Sequence, residues 1–294
     1  MQFADIKNDI AFRKIFGNEN KKEILISFLN AVLKLEGNKK IIWVEILNPY
    51  QLPIVLGAKS TILDVKAKDK SGNEYIVEMQ VTDKIGFAKR VVYYSAKSYS
   101  AQLNVGENYY QLKPTIFIGI LNFVFLEGDN YLSRHLIGRH SALDVETGEH
   151  KRSAAQLKDL DFNFIELPKF NKTEKELQSL VENRSADQWV YFIKNAENLT
   201  VIPPDLDDEG LKLAYTEADR HNWSKKDLEA YSYEGMREAD ERAEKMFVEQ
   251  KAELRKQIEM ATKAIKRGFE NETIADLTDL TVEQIEQLRN EKQL

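Results

Sequence analysis

Two short runs with a strict period of two, separated by a turn, are the feature that most constrains the fold of this chain. Residues 61–68 and 74–81 alternate between apolar and polar side chains, and residues 70–73 (KSGN) are typical of a turn. Successive side chains of a strand point to opposite faces, so the two runs predict a β-hairpin with one apolar face. The predicted apolar face consists of Leu63, Val65 and Ala67 on the first strand and Tyr75, Val77, Met79 and Val81 on the second.

The opposite face of the predicted hairpin is polar. Asp64 and Lys66 belong to the first strand, and Glu78 and Gln80 to the second. Carboxylates that face each other across a hairpin lie roughly 5 Å apart, and Mg²⁺ is often held by only one or two carboxylates with water. Asp64 and Glu78 therefore form a candidate metal site, to which Met79 can add its backbone carbonyl. The alternative is an ordinary solvated hairpin face.

Helices and further strands are predicted around this hairpin. A helix over residues 84–103 carries Lys89, Arg90 and Lys97 among tyrosines, and it covers the sheet so that the acidic face lies in a cleft. The other predicted elements are helices at 7–16 and 18–36, strands at 41–47 and 114–121, a second hairpin across 131–145 and 151–167 that turns near 147–148, and helix from 173 to 199.

Six segments occur in a recognisable order within residues 5–200. They are DIAFRKIFG (9–17), ILDVKA (62–67), VEMQ (77–80), RVVYYS (90–95), YYQLKPT (109–115) and IELPK (165–169). Together they resemble the PD-(D/E)XK nuclease-family transposases, also described as recombination-promoting nucleases. The resemblance implies an α/β, restriction-endonuclease-like core, with a mixed sheet flanked by helices, that cleaves DNA with Mg²⁺ (or Mn²⁺).

The resemblance also implies roles for individual residues. Asp64 and Glu78 take the two acidic, metal-binding positions, and Gln80 stands where a lysine is common. Glutamine can still orient a water molecule, while a lysine would also stabilise charge on the phosphate. Three accessory residues are implied: Asp9 as an extra acid, and Lys66 or Arg90 as the source of the missing cation.

Charge divides the chain into two parts. Residues 1–204 carry a net charge of +2 and residues 205–294 a net charge of −8. We therefore expect a nuclease-like core over 1–204 and an acidic helical tail over 205–294. The tail is predicted to hold one long helix over 211–266 and two short helices, 272–280 and 282–289, the last with a Thr281–Gln284 capping box.

The long tail helix needs a partner, because an isolated charged helix gains most of its stability from burying an apolar face. Its apolar stripe consists of Met236, Ala239, Ala243 and Met246, at the spacing of a coiled coil. We expect a homodimer through this stripe, with packing against the chain's own helix near residues 189–199 as the alternative.

Composition excludes several other classes. The chain has no cysteine, no glycine-rich phosphate loop and no apolar run of membrane-spanning length. A cytoplasmic protein without an organic cofactor is expected. Two alternatives to a nuclease stay open, namely a catalytically silent nucleic-acid-binding scaffold and a protein-interaction module that acts through the tail.

Overall fold

The computed structural model describes residues 1–51, 61–136, 142–143, 150–151, 158–179 and 184–292. These residues form two compact units, Met1–Tyr231 and Ser232–Leu294. Within the described residues, no helix combines the length and apolar character that crossing a membrane requires.

A six-stranded mixed sheet forms the centre of the first unit. Its strand order is β1-β4-β5-β6-β10-β7; β5, β6 and β10 run parallel, while the β1–β4, β4–β5 and β10–β7 pairs are antiparallel. The strands are β1 (Val44–Leu47), β2 (Tyr50–Gln51), β3 (Thr61–Ile62), β4 (Val65–Asp69), β5 (Glu74–Gln80), β6 (Thr115–Leu121), β7 (Leu132–Leu136), β8 (Ala142–Leu143), β9 (His150–Lys151) and β10 (Leu160–Glu166). The pairs β2–β3 and β8–β9 form two small separate ladders.

Helices flank this sheet, which confirms the predicted α/β architecture. The helices are α1 (Asp9–Phe16), α2 (Lys22–Val32), α3 (Phe87–Ser100), α4 (Glu174–Ser179), α5 (Arg184–Asn195), α6 (Glu209–Ala218), α7 (Lys225–Lys266), α8 (Asn271–Thr278) and α9 (Val282–Lys292). The predicted β4–β5 hairpin and the antiparallel pairing of β7 with β10 are both present. The predicted turn at 147–148 lies outside the described residues.

The two faces of the sheet bury different apolar clusters. On one face, Val65 and Val77 of the hairpin pack with α1, α2, α5 and α6 around a group of aromatic rings that includes Phe16, Phe28 and Trp189. On the other face, Ile76 packs against α3 in a smaller cluster. The hairpin is therefore covered on both sides, and α1 and α3 approach it from opposite faces.

Leu63 does not share the face of Val65, contrary to the sequence-based expectation. It is buried in the α3 cluster with Ile76, whereas Val65 and Ala67 belong to the main cluster. The reason is that residues 63 and 64 lie between β3 and β4, where the Leu63 amide bonds to the carbonyl of Pro49 at 3.1 Å. The period-two alternation therefore begins only at Val65.

The expected long helix from residue 211 is broken into α6 and α7. The Asp219 carboxylate accepts hydrogen bonds from the backbone amides of Gln2 and His221, both at 3.2 Å, which ends α6. Ser224 and Asp227 then cap the start of α7. Because α6 packs in the main core, the first compact unit extends to Tyr231 rather than ending at 204.

A buried ion pair fixes the loop after β6. Glu166 at the end of β10 accepts hydrogen bonds from the backbone amides of Phe125 and Leu126, and Lys169 reaches its other carboxylate oxygen at 2.9 Å. The same Lys169 ammonium donates to the carbonyl of Leu126. The IELPK segment (165–169) thus has a structural role.

The C-terminal unit has its own small core. Ala261, Ile265, Ile274, Leu280 and Ile285 bring together the end of α7 with α8 and α9. The predicted capping box of α9 is confirmed, since the Thr281 amide donates to Gln284 Oε1 at 2.8 Å and the Gln284 amide donates to Thr281 Oγ1 at 3.3 Å.

Candidate active site

The site forms where β4 and β5 stop pairing. The last paired residues are Val65 and Val77, so the next position brings Asp64 opposite Glu78. There the Asp64 carboxylate takes the place of a backbone carbonyl acceptor, because its Oδ2 accepts the Met79 amide hydrogen at 2.9 Å. The Asp64 amide in turn donates to Glu78 Oε1 at 3.2 Å. Side chains therefore continue the ladder for one more step.

This arrangement brings the two predicted acids together. Only a few covalent bonds of about 1.5 Å join the Asp64 amide nitrogen to its own carboxylate, so a Glu78 oxygen lies within about 8 Å of the Asp64 carboxylate. Gln80 is two residues further along β5 and belongs to the same strand face as Glu78.

Arg13 of α1 completes the acidic cluster, and the sequence analysis missed it. Its Nη2 and Nε donate to Asp64 Oδ1 at 2.8 and 3.2 Å. The Asp64 side chain is only 7 % exposed, whereas that of Arg13 is 43 % exposed. The available signal was that Arg13 lies one helical turn after Asp9 in the first of the six segments, so both occupy one face of α1.

The site carries more negative charge than Arg13 neutralises. Burial and the adjacent Asp64 carboxylate raise the pKa of Glu78 well above its ordinary value, although Arg13 opposes the shift. Asp9 also raises the pKa of Glu78, which places it within electrostatic reach of the pair. A proton is therefore held more tightly by Glu78 than by an ordinary glutamate.

Arg90 and Lys66 were the two candidates for the positive charge that a lysine at position 80 would supply. Arg90 of α3 donates from Nη2 to Gln80 Oε1 at 2.9 Å, while Gln80 Nε2 donates to the carbonyl of Thr82 at 3.0 Å. Lys66 instead pairs with Glu74 at 3.0 Å. The geometry therefore favours Arg90 as the cation next to Gln80.

Tyr94 is a further residue at this site that the sequence analysis did not single out. It follows Arg90 by one helical turn on α3, so both side chains lie on one flank of that helix. Burial raises the pKa of the Tyr94 hydroxyl; Arg90 opposes the shift, and Glu78 and Asp64 add to it. The flank of α3 that carries Arg90 and Tyr94 therefore faces the carboxylates.

The donor set fits a hard divalent cation. Within the described part of the chain, no three or more histidine and acidic side chains converge as a metal cage. Asp64 and Glu78 nevertheless supply carboxylate oxygens at one point, and Mg²⁺ often uses no more than this from the protein. When both carboxylates are ionised, their mutual repulsion is what a cation would relieve. Met79 contributes its amide to Asp64, and a ligand role for its carbonyl stays a prediction.

Comparison with known proteins adds one finding. A family model described as PD-(D/E)XK nuclease family transposase matches residues 6–251, which contain every residue of the site. Searches of curated proteins and of solved structures gave no significant match.

Proposed function

Since this chain belongs to the PD-(D/E)XK nuclease family transposases, we propose that it is a metal-dependent endonuclease that hydrolyses phosphodiester bonds of DNA. The observation that carries the proposal is the placement of Asp64 and Glu78 at the end of the β4–β5 ladder, with Arg13 and Arg90 beside them. Two carboxylates with nearby guanidinium groups suit phosphodiester hydrolysis, which is accelerated by a bound divalent metal and by positive charge next to the phosphate.

Each side chain has a distinct task in this proposal. Asp64 and Glu78 hold Mg²⁺ or Mn²⁺, which, when bound, polarises the phosphodiester and lowers the pKa of an attacking water. Gln80 positions Arg90 and, because an amide oxygen has two lone pairs, can also orient that water. Arg90 brings positive charge to the phosphate in place of the lysine.

The charge of α3 supports DNA as the substrate. No acidic residue occurs between Asp83 and Glu107, a stretch that includes all of α3, although the chain as a whole has a net charge of −6. Four cations lie in this stretch; Lys84, Lys89 and Arg90 are accessible, whereas Lys97 is buried. Tyr93, 44 % exposed on the same helix, offers a ring on which a base can stack. Clustered cations in an otherwise acidic protein are the electrostatic pattern of a nucleic-acid contact.

A plasmid-nicking assay tests the proposal. Supercoiled DNA is incubated with the full chain and Mg²⁺ or Mn²⁺, with and without a chelator, and Asp64→Asn is compared with Asp207→Asn. Asp207 is 84 % exposed and distant from the site in sequence, so its variant controls for the loss of one carboxylate. Cleavage that requires the metal and Asp64, but not Asp207, supports the proposal. Metal-independent DNA binding without cleavage contradicts it and favours the silent scaffold.

We also propose that the chain acts as a homodimer through α7. The predicted seam is exposed in the single chain, since Met236 and Met246 are each 60 % accessible. A second copy would bury this stripe. Two active sites would then be available for the two strands of a duplex.

A further inference from the structure

Arg13 and the proposed metal share the Asp64 carboxylate. Its guanidinium donates two hydrogen bonds to Asp64 Oδ1, and Oδ2 accepts one from the Met79 amide. A divalent cation that uses Asp64 as a ligand therefore either displaces Arg13 from Oδ1 or binds the remaining lone pair of Oδ2, beside the Arg13 guanidinium. In either case the two positive charges repel each other at short range.

The fold allows Arg13 to withdraw without unfolding. The helix that carries it is anchored by Phe12, Ile15 and Phe16, all of which are buried in the main core. The guanidinium itself is at the half-exposed end of a long side chain. It can leave Asp64 by rotating its own side chain into solvent, while the backbone of α1 stays in place.

We infer that Arg13 first holds Asp64 in place, then releases it to the metal and binds a phosphate oxygen of the DNA. This inference rests on the proposed function. A guanidinium displaced by a cation stays at the mouth of the site, because Asp9 precedes it by one turn on α1 and the acidic cluster still attracts it. A planar guanidinium with several donors is well suited to a phosphate.

The test measures metal binding separately from cleavage. Mn²⁺ is titrated calorimetrically into the wild-type chain, Arg13→Met, Arg13→Lys, and Arg242→Met as a matched control at an exposed arginine of the C-terminal unit. We expect Arg13→Met to bind Mn²⁺ about ten-fold more tightly than wild type, because a competing charge has been removed. The Mn²⁺ affinity of Arg13→Lys, which keeps one compact charge, should lie between those of Arg13→Met and the wild type. The affinity of Arg242→Met should equal that of the wild type.

Cleavage kinetics at saturating Mn²⁺ provide the second measurement. We expect Arg13→Met to raise the KM for DNA. Arg13→Lys should raise the KM less, since a lysine also contacts phosphate. A purely structural role would lower metal affinity in Arg13→Met or leave it unchanged, and either result overturns the inference. An unchanged KM overturns the phosphate contact. If Mn²⁺ binds to no variant and not to the wild type, the proposed function itself fails.

Discussion

The amide side chain of Gln80 is fixed between α3 and its own strand, with its oxygen bonded to Nη2 of Arg90 at 2.9 Å. A lysine at position 80 would offer Arg90 no acceptor and would place a second positive charge next to its guanidinium. The exchange of lysine for glutamine is thus coupled to an arginine from a different element. Position 80 cannot be changed independently of position 90.

The first prediction tests this coupling. We expect Arg90→Ala to lower the cleavage rate by about 10². Gln80→Lys alone also lowers the rate, whereas Gln80→Lys combined with Arg90→Gln recovers much of it, since the cation returns with a neutral neighbour. Single-turnover cleavage of one oligonucleotide by all four chains measures these rates. A double variant no better than Gln80→Lys would contradict the coupling.

The second prediction concerns the stability contribution of Glu78. A carboxyl whose folded pKa lies above its ordinary value of 4.5 favours the folded state at low pH, and this contribution is lost as the pH rises through the raised pKa. We therefore expect Glu78→Gln to raise Tm near neutral pH by about 2–4 °C, the effect of about 1 kcal/mol in a domain of this size. The gain disappears below about pH 4.

Thermal denaturation across this pH range provides the measurement. Glu209→Gln is the control, because that carboxylate is exposed. A Tm gain in Glu78→Gln that is the same at pH 4 and pH 8 would show that burial of charge is not its cause.

The third prediction follows from the same raised pKa. Metal binding requires ionised Glu78, so binding releases a proton and strengthens as the pH rises through the pKa of Glu78. We expect the Mn²⁺ affinity of the wild type to increase from pH 5 upward, and that of Glu78→Gln to depend less on pH. Calorimetry in two buffers of different ionisation enthalpy counts the released protons, and no proton release would contradict this assignment.

The fourth prediction concerns the Glu166–Lys169 pair. Removing one partner leaves a buried charge without compensation, which costs about 3 kcal/mol. We expect Lys169→Met to destabilise the chain by this amount in urea unfolding. Lys212→Met, at an exposed ion pair, should change the free energy of unfolding by less than about 1 kcal/mol.

The fifth prediction concerns the dimer. We expect the full chain to sediment as a dimer at micromolar concentration, and Met236→Glu with Met246→Glu to give monomers. Val248→Glu, also on an exposed position of α7 but two residues from the stripe, leaves the dimer intact. A monomeric wild type would exclude dimerisation through α7 at that concentration.

Local patterns were sufficient to predict the hairpin and the position of its two acids. The short turn fixes the register that pairs Val65 with Val77, and the next position along each chain brings Asp64 opposite Glu78. The family resemblance then predicted the mixed sheet and the flanking helices. The capping box at Thr281 was also predictable from a local pattern, because both of its partners lie within one helical turn.

Features that depend on distant contacts could not be predicted in this way. Arg13 reaches Asp64 across 51 residues, and no local pattern links them. The break between α6 and α7 contains neither proline nor glycine; it depends on Asp219 binding the amide of Gln2 near the N-terminus. Leu63 lies on the opposite face of the sheet from Val65 because its amide donates a hydrogen bond to the carbonyl of Pro49.

The bond between the Met79 amide and the Asp64 carboxylate gives the site a built-in reporter. Exchange of that hydrogen with solvent deuterium requires the hydrogen bond to the carboxylate to break, since no described strand pairs with Met79 on that side. The exchange rate of a single backbone amide thus follows how firmly Asp64 is held. Events at the carboxylates become visible on an atom that takes no part in the chemistry, without labelling or altering any side chain.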